Sequence, residues 1–292
     1  MKRTQINKAD LILCADFHLR DTAPSCRPNS FQEAQWQKVI EIKKLQEKHQ
    51  CPVFHAGDLF DYWKPSPWLI SKAIEHLPDK FYTIYGNHDL PQHNLDLADK
   101  TGIHVLMKAG KLTILPGCHW EQEPTEPSFI VKGKKILVWH IMTYQGKKPW
   151  EGIEASRGIT LLRKYAQYDV ILTGHNHMSF IEQHKDKWIV NPGSITRQTT
   201  TQINYEPKVF LYYADTNRVI PVILEYDKNA VIPPPDTLQI KERDERIDAF
   251  INKLDDDGWG GTLNFSKNIE SFFSKNDISK PVKTIIEKSL EI

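Results

Sequence analysis

The chain has 292 residues, enough for one large α/β domain or two smaller ones, and its 40% apolar content is enough to fill a core. A formal net charge of +1 excludes a protein that holds nucleic acid by its overall field, so any polyanion must be met by a local patch or by bound metal. The polar start (Met1-Lys2-Arg3-Thr4-Gln5), scattered cysteines (Cys14, Cys26, Cys51, Cys118) and lack of any apolar run near the roughly 18 residues that span a bilayer lead us to expect a soluble, reduced, cytoplasmic protein with no membrane association.

In chain order, short apolar runs alternate with polar or amphipathic stretches. Leu11–Ala15, Pro52–Ala56, Phe81–Tyr85, Ile136–Trp139 and Val170–Thr173 are strand-length and read as strands buried on both faces. Between the first two, Trp36, Val39, Ile40 and Leu45 predict a helix with one apolar face, entered near Asn29-Ser30. Residues 111–140 and 180–226 read as successive strands with turns at Lys132-Gly133-Lys134 and Asp215-Thr216-Asn217. The expected architecture is α/β: two packed mixed sheets with helices outside. We place a catalytic domain at 1–228, and at 229–292 a linker, marked by Pro233-Pro234-Pro235, and a tail of short amphipathic helices around Ile247–Leu254 and Val282–Leu290.

Each strand-like run ends in groups that ligate metals. Asp16 and His18 follow the first, Gly57-Asp58 the second and Gly86-Asn87-His88-Asp89 the third; His140 follows the fourth and Gly174-His175-Asn176-His177 the fifth. Strand ends are where open α/β sheets bind ligands, and runs that only fill a core have no reason to end this way. Carboxylate, imidazole and amide without thiolate suits Mn²⁺, Fe²⁺ or Zn²⁺. So many donors exceed the needs of one ion and suit a pair about 3.5–4 Å apart bridged by a carboxylate. Gly57, Gly86 and Gly174, each directly before a ligand segment, are expected to permit tight turns and close backbone approach.

The order D-x-H, G-D, G-N-H-D, H, G-H-x-H over residues 16–177 resembles the calcineurin-like metallophosphoesterase superfamily. That resemblance implies a four-layer αββα sandwich and two divalent metal ions, with Mn²⁺ the first choice. It assigns Asp16, His18, Asp58 and His177 to one metal, and Asp58, Asn87, His140 and His175 to the other, Asp58 bridging. His88 becomes a catalytic group at the leaving oxygen instead of a ligand. By analogy with a G-D-x-x-D motif, Asp61 holds the His88 tautomer; a helix N-cap is its alternative. Asp89 is left as an acceptor behind the ligands or a loop cap.

Within the superfamily, Cys14–Leu19, Ala56–Asp61 and Asn191-Pro192-Gly193-Ser194-Ile195 resemble SbcD-type DNA repair nucleases. This implies DNA as substrate, an SbcC-like coiled-coil ATPase as partner, and a homodimer. His93, Lys147, Lys148 and Arg197 are the candidate substrate contacts, with Lys132, Lys134 and Lys135 a further basic group on a hairpin. Against this reading stand the short C-terminal part and the near-neutral charge. Gly57–Trp63 also fits UDP-sugar-lipid pyrophosphatases, and a non-catalytic metal-binding scaffold is the alternative from another class.

Overall fold

The computed structural model describes residues 8–27, 30–148, 154–232 and 273–275. The chain divides into two compact units, Met1–Pro233 and Pro234–Ile292. Of the second only residues 273–275, which are helical, are described, so the amphipathic tail helices expected from the sequence lie outside the described residues.

The elements of the first unit run in this order: β1 (Leu11–Cys14), α1 (Phe31–His49), β2 (Val53–His55), α2 (Pro67–His76), β3 (Phe81–Thr83), α3 (Gly102–Lys108), β4 (Thr113–Ile114), β5 (Phe129–Val131), β6 (Lys134–His140), β7 (Thr143–Tyr144), β8 (Ser156–Arg157), α4 (Gly158–Lys164), β9 (Val170–Gly174), β10 (Phe180–His184), β11 (Lys187–Asn191), β12 (Lys208–Tyr213) and β13 (Arg218–Ile223). One sheet has the order β13-β12-β1-β2-β3-β4 and the other β10-β11-β9-β6-β5. Both are mixed: β1 to β4 run parallel with β12 and β13 antiparallel at one side, and β6, β9 and β11 run parallel between antiparallel β5 and β10.

Alternation along the strands explains the layering. In β1, Leu11 and Leu13 pack with Phe54, Ile136, Val138, Val170 and Leu172, a core shared by the two sheets. Ile12 and Cys14 point the other way, into a second core with Trp36, Val39 and Ile42 of α1, Leu69 and Ala73 of α2, and Ile103 and Leu106 of α3. Leu137, Trp139 and Ile171 on the far face of the second sheet meet Leu161 and Leu162 of α4. Strands covered on both faces need apolar residues at every position, hence continuous runs without a polar alternate. The expected four-layer α/β arrangement is the one observed.

Local signals set the ends of the elements. Helix α1 begins after Ser30 and stops at Gln50, whose φ of 59° places it in the left-handed region, with its N–H donating to the Gln46 carbonyl. Helix α2 starts with Pro67, and the Ser66 side chain accepts from the Leu69 N–H. The β5–β6 hairpin turns at Lys132 and Gly133, both at positive φ. Two of the three basic groups on that hairpin are committed to acids: Lys132 pairs with Asp10 and Asp215, and Lys134 with Asp169. The four cysteines are free and buried. Among the described residues no helix is long and apolar enough to cross a membrane.

Candidate metal centre

The parallel strands β1, β2 and β3 of one sheet and β6 and β9 of the other bring their C-terminal ends to one place. Pairing continues past the regular strands: Asp16 N–H donates to the Gly57 carbonyl and His18 N–H to the Asp58 carbonyl, so the first two ligand loops are laced together. In the second sheet His140 stands opposite Gly174, which sets it beside His175.

Three overlapping groups of donors lie within 4.8 Å of one another: Asp16, His18 and His177 at one side, Asp58, His140 and His175 at the other, and His18, Asp58 and His88 between them. Asp58 joins them: its Oδ2 is 3.5 Å from His18 Nε2 and 3.4 Å from His140 Nε2. Asn87 Oδ1 lies 3.0 Å from His140 Nε2 and 2.9 Å from His175 Nδ1, completing the second group. His18 Nε2 and His177 Nε2 face each other at 3.0 Å. All seven side chains named from the sequence therefore converge.

The electrostatics fit divalent cations. Asp16 Oδ1 accepts the His175 N–H at 2.9 Å, but Oδ2 is buried with no hydrogen-bond partner. A buried carboxylate oxygen without a donor is costly, and a cation held with His18 and His177 relieves it. Burial pushes Asp16 up to about 6 against the pull of His140, with the Asp58 charge adding to the rise. Burial also opposes ionisation of Asp58, yet His140 and His18 beside it outweigh burial and hold its carboxyl below the usual range. His175 and His177 are pushed down by burial, to about 4 and about 3, so both are neutral and have lone pairs for a metal at neutral pH. His140 Nδ1 donates to the Ala56 carbonyl at 2.7 Å, which turns Nε2 toward Asp58 and Asn87.

Backbone strain is concentrated here. Asp16, His18, Asp58 and His175 have φ of 51°, 44°, 58° and 77°, a region that costs non-glycine residues about 1–2 kcal/mol each. Of the three glycines expected to turn the chain, only Gly57 uses a positive φ, 88°. Gly86 and Gly174 serve close approach instead, since a Cβ would lie 2.2 Å from Asp58 Oδ1 at the first and 2.3 Å from the Ala56 carbonyl oxygen at the second.

Asp89 holds the loops from behind. Its buried carboxylate accepts four main-chain N–H groups, those of Asp58 (2.7 Å), Gly86 (3.0 Å), Leu59 (3.1 Å) and Phe60 (3.2 Å), tying the β2 loop to the β3 loop. Asp89→Ala leaves these buried donors without an acceptor and is expected to cost on the order of 3 kcal/mol of stability. Thermal denaturation of the metal-free protein checks it, and a loss below about 1 kcal/mol would contradict this role.

His88 is the exposed member of the cluster, its N–H donating to Asp58 Oδ1 at 2.9 Å and its ring 4.7 Å from that of His18. The Asp61 assignment needs correction. His88 Nδ1 is 2.8 Å from the main-chain carbonyl of Asp61, while the Asp61 carboxylate faces His18 Nδ1 (3.5 Å) and Arg20 (3.2 Å). Nor does Asp61 cap a helix, a task that falls to Ser66.

Arg197 is corrected as well. It is 2% exposed, and its guanidinium donates to the carbonyls of Ile203, Asp227 and Lys228, so it braces the loops around it from within and is turned away from substrate. A run of polar and basic residues after Asn-Pro-Gly-Ser gives no hint of such burial. Lys147, Lys148 and His93 are exposed, and the His93 ring lies 6.1 Å from Trp120. Asn191 and its neighbours support the His-x-His loop: Asn191 Nδ2 donates to the carbonyls of Asn176 and Met178, and Ser194 N–H to that of His177.

Trp120 was missed in the sequence, where no motif surrounds it. Its ring is 4.9 Å from that of His175 and 5.8 Å from that of His140. It arrives there because Cys118 bridges to Trp139 and the Trp120 N–H donates to the Tyr85 carbonyl, joining the ends of the two sheets.

A family model for the calcineurin-like phosphoesterase superfamily domain matches residues 10–210. Among solved structures, an archaeal phosphodiesterase is similar over 73% of this chain and 99% of its own, at 14% identity and a TM-score of 0.42. A metallophosphoesterase from Sphaerobacter thermophilus is similar over 74% and 89%, at 14% identity and a TM-score of 0.39. Vps29 from Entamoeba histolytica, complexed with zinc, is similar over 74% and 99%, at 13% identity and a TM-score of 0.35. A search of curated protein sequences finds no match.

Proposed function

The chain belongs to the calcineurin-like phosphoesterase superfamily, and from that premise we propose that it is a two-metal phosphodiesterase acting on DNA. The observation that carries the catalytic part is the sharing of Asp58 between two donor groups, with His88 exposed at their rim. Asp16, His18, Asp58 and His177 would hold one ion, and Asp58, Asn87, His140 and His175 the other. Bound there, the pair (Mn²⁺ in the first instance, given the oxygen and nitrogen donors) supplies positive charge to the phosphoryl oxygens and acidifies an attacking water.

The chain's own groups do the rest. The Asp61 carbonyl fixes the Nδ1 side of His88, which leaves Nε2 to carry a proton to the departing ester oxygen as the P–O bond breaks. Asp89 and Asn191 keep the loops from shifting as charge moves.

DNA as substrate, an SbcC-like ATPase as partner and a homodimer are what the resemblance of Cys14–Leu19, Ala56–Asp61 and Asn191–Ile195 to SbcD-type nucleases implies. Lys147 and Lys148, exposed in the loop beyond His140, are the groups that would meet a phosphate backbone. Purified protein with Mn²⁺ is expected to degrade linear DNA, and chelation to stop it. Cleavage of UDP-linked lipids with DNA left intact would replace the nuclease reading by the pyrophosphatase one, and no cleavage of either would leave the scaffold.

A further inference from the structure

Beside helix α1 lies a pocket of about 340 Å³ that none of the seven ligand residues lines. Arg27, Lys38 and Arg197 belong to its wall, and all three are buried, at 9%, 5% and 2% exposure. Cations are almost never buried without a counter-charge, because desolvation is then uncompensated. None of these three makes an ion pair among the described residues.

Their donors are not all taken. Arg197 gives both Nη groups to main-chain carbonyls, so it contributes mainly charge. Arg27 spends Nη1 on the Arg197 carbonyl at 2.7 Å, but its Nη2 has no partner and, unlike its Nε, keeps accessible surface. The Lys38 ammonium makes neither hydrogen bond nor ion pair among the described residues and is open to the pocket. Helical side chains lean toward the N-terminus, which carries this amine over Ala34, a residue too small to fill the space. Burial holds Lys38 below the usual lysine range; Glu41 and Glu225 oppose that fall, and Arg27 and Arg197 deepen it. Arg27 is lowered as well, by burial first and by the Arg197 charge next.

Carboxylates line the mouth, and their position decides what the pocket takes. Glu33, Glu225 and Asp227 are all exposed. Exposed charges are screened by water and salt, whereas a buried floor screens little. A cation held at the rim gains only a surface contact, and one driven inward meets Lys38 and Arg27. A polyanion is turned away too, because its flanking phosphates would lie against the rim. One oxyanion on the floor, with hydroxyl donors behind it for the carboxylates, satisfies both levels. The first turn of α1, where the Ser30 side chain makes no cap, adds to the attraction for an oxyanion.

We propose that this pocket binds a small hydroxylated phosphomonoester, its phosphate on Lys38 and Arg27 and its hydroxyls toward Glu33, Glu225 and Asp227. The volume is at the small end for ligand sites and suits a sugar phosphate. The site is separate from the metal centre and does not rest on the phosphodiesterase reading.

The test is calorimetric titration of the full chain, chelated and dialysed so that no metal can hold phosphate, with ribose 5-phosphate, inorganic phosphate and spermidine. Ribose 5-phosphate should bind with a Kd below about 1 mM, and inorganic phosphate more weakly at the same site. Lys38→Met replaces an unpaired buried cation by an apolar chain of similar length. It should weaken ribose 5-phosphate at least about tenfold, the order of one charge-assisted hydrogen bond, and Lys38→Arg should restore most of the affinity. Glu225→Gln, at an exposed position that folding does not depend on, should weaken ribose 5-phosphate and not inorganic phosphate. No binding of either phosphate, binding that survives Lys38→Met, or tighter uptake of spermidine would each overturn the site. Equal affinities for the two phosphates would overturn the sugar phosphate in favour of the free ion. With Mn²⁺ restored, a second phosphate site should appear and survive Lys38→Met; its failure to appear would count against the metal centre and leave this pocket standing.

Discussion

Asp58→Ala is expected to abolish binding of both metals at once and with it all phosphodiester cleavage. One carboxylate sits 3.5 Å from His18 and 3.4 Å from His140, which belong to different donor groups, so neither group is complete without it. Loss of a ligand that bridges two ions should exceed the 10–100-fold in affinity typical of outer-shell changes, so metal affinity should fall by more than about 100-fold. The substitution also removes the acceptor of the His88 N–H and the counter-charge of two buried imidazoles. Asp58→Asn separates these effects, because it keeps the shape and an oxygen for His88 while removing the charge. Elemental analysis of both variants after dialysis is the measurement. Asn retaining two ions per chain would show that the carboxylate charge is not the bridge.

His88→Ala is expected to behave oppositely, keeping both metals and losing about a thousandfold in kcat, roughly 4 kcal/mol of transition-state stabilisation. The ring is exposed and its N–H, not its imidazole, reaches the ligand Asp58. The side chain is oriented by the main-chain carbonyl of Asp61, so no side-chain change at position 61 takes that partner away. Turnover of bis(p-nitrophenyl) phosphate with metal content measured on the same sample decides the case. Metal loss in His88→Ala as large as in Asp58→Ala would make His88 a ligand, a role its position among the donors with His18 and Asp58 leaves geometrically open.

The candidate centre was legible because its donors are short motifs at strand ends, and a strand end delivers whatever follows it to the sheet edge. That rule places Asp16, His18, Asp58, Asn87, His140, His175 and His177 together with His88 and Asp89, and it took the resemblance to the superfamily to single out the seven. Asp61 and Arg197 were misread for one shared reason. A charged residue near a motif says that charge is available, and only packing says where it points: the Asp61 carboxylate went to His18 and Arg20, and the Arg197 guanidinium to the carbonyls of Ile203, Asp227 and Lys228. Trp120 carried no signal, because its place depends on a bridge between residues 118 and 139 and a bond to Tyr85, contacts that leave no periodicity behind.

By itself the sequence determined the strands, their burial on both faces and the gathering of metal-ligating residue types at their ends, because each follows from local chemistry: apolar runs of strand length, and such residues placed where those runs stop. Only the tertiary structure decided that the two sheets stack with their parallel edges together, that four ligand residues adopt left-handed backbone, and that Asp89 gathers four N–H groups from two loops. Most of the contacts behind those features join residues far apart in the chain, and the free energy that selects them comes from packing and burial, which no single stretch of chain contains.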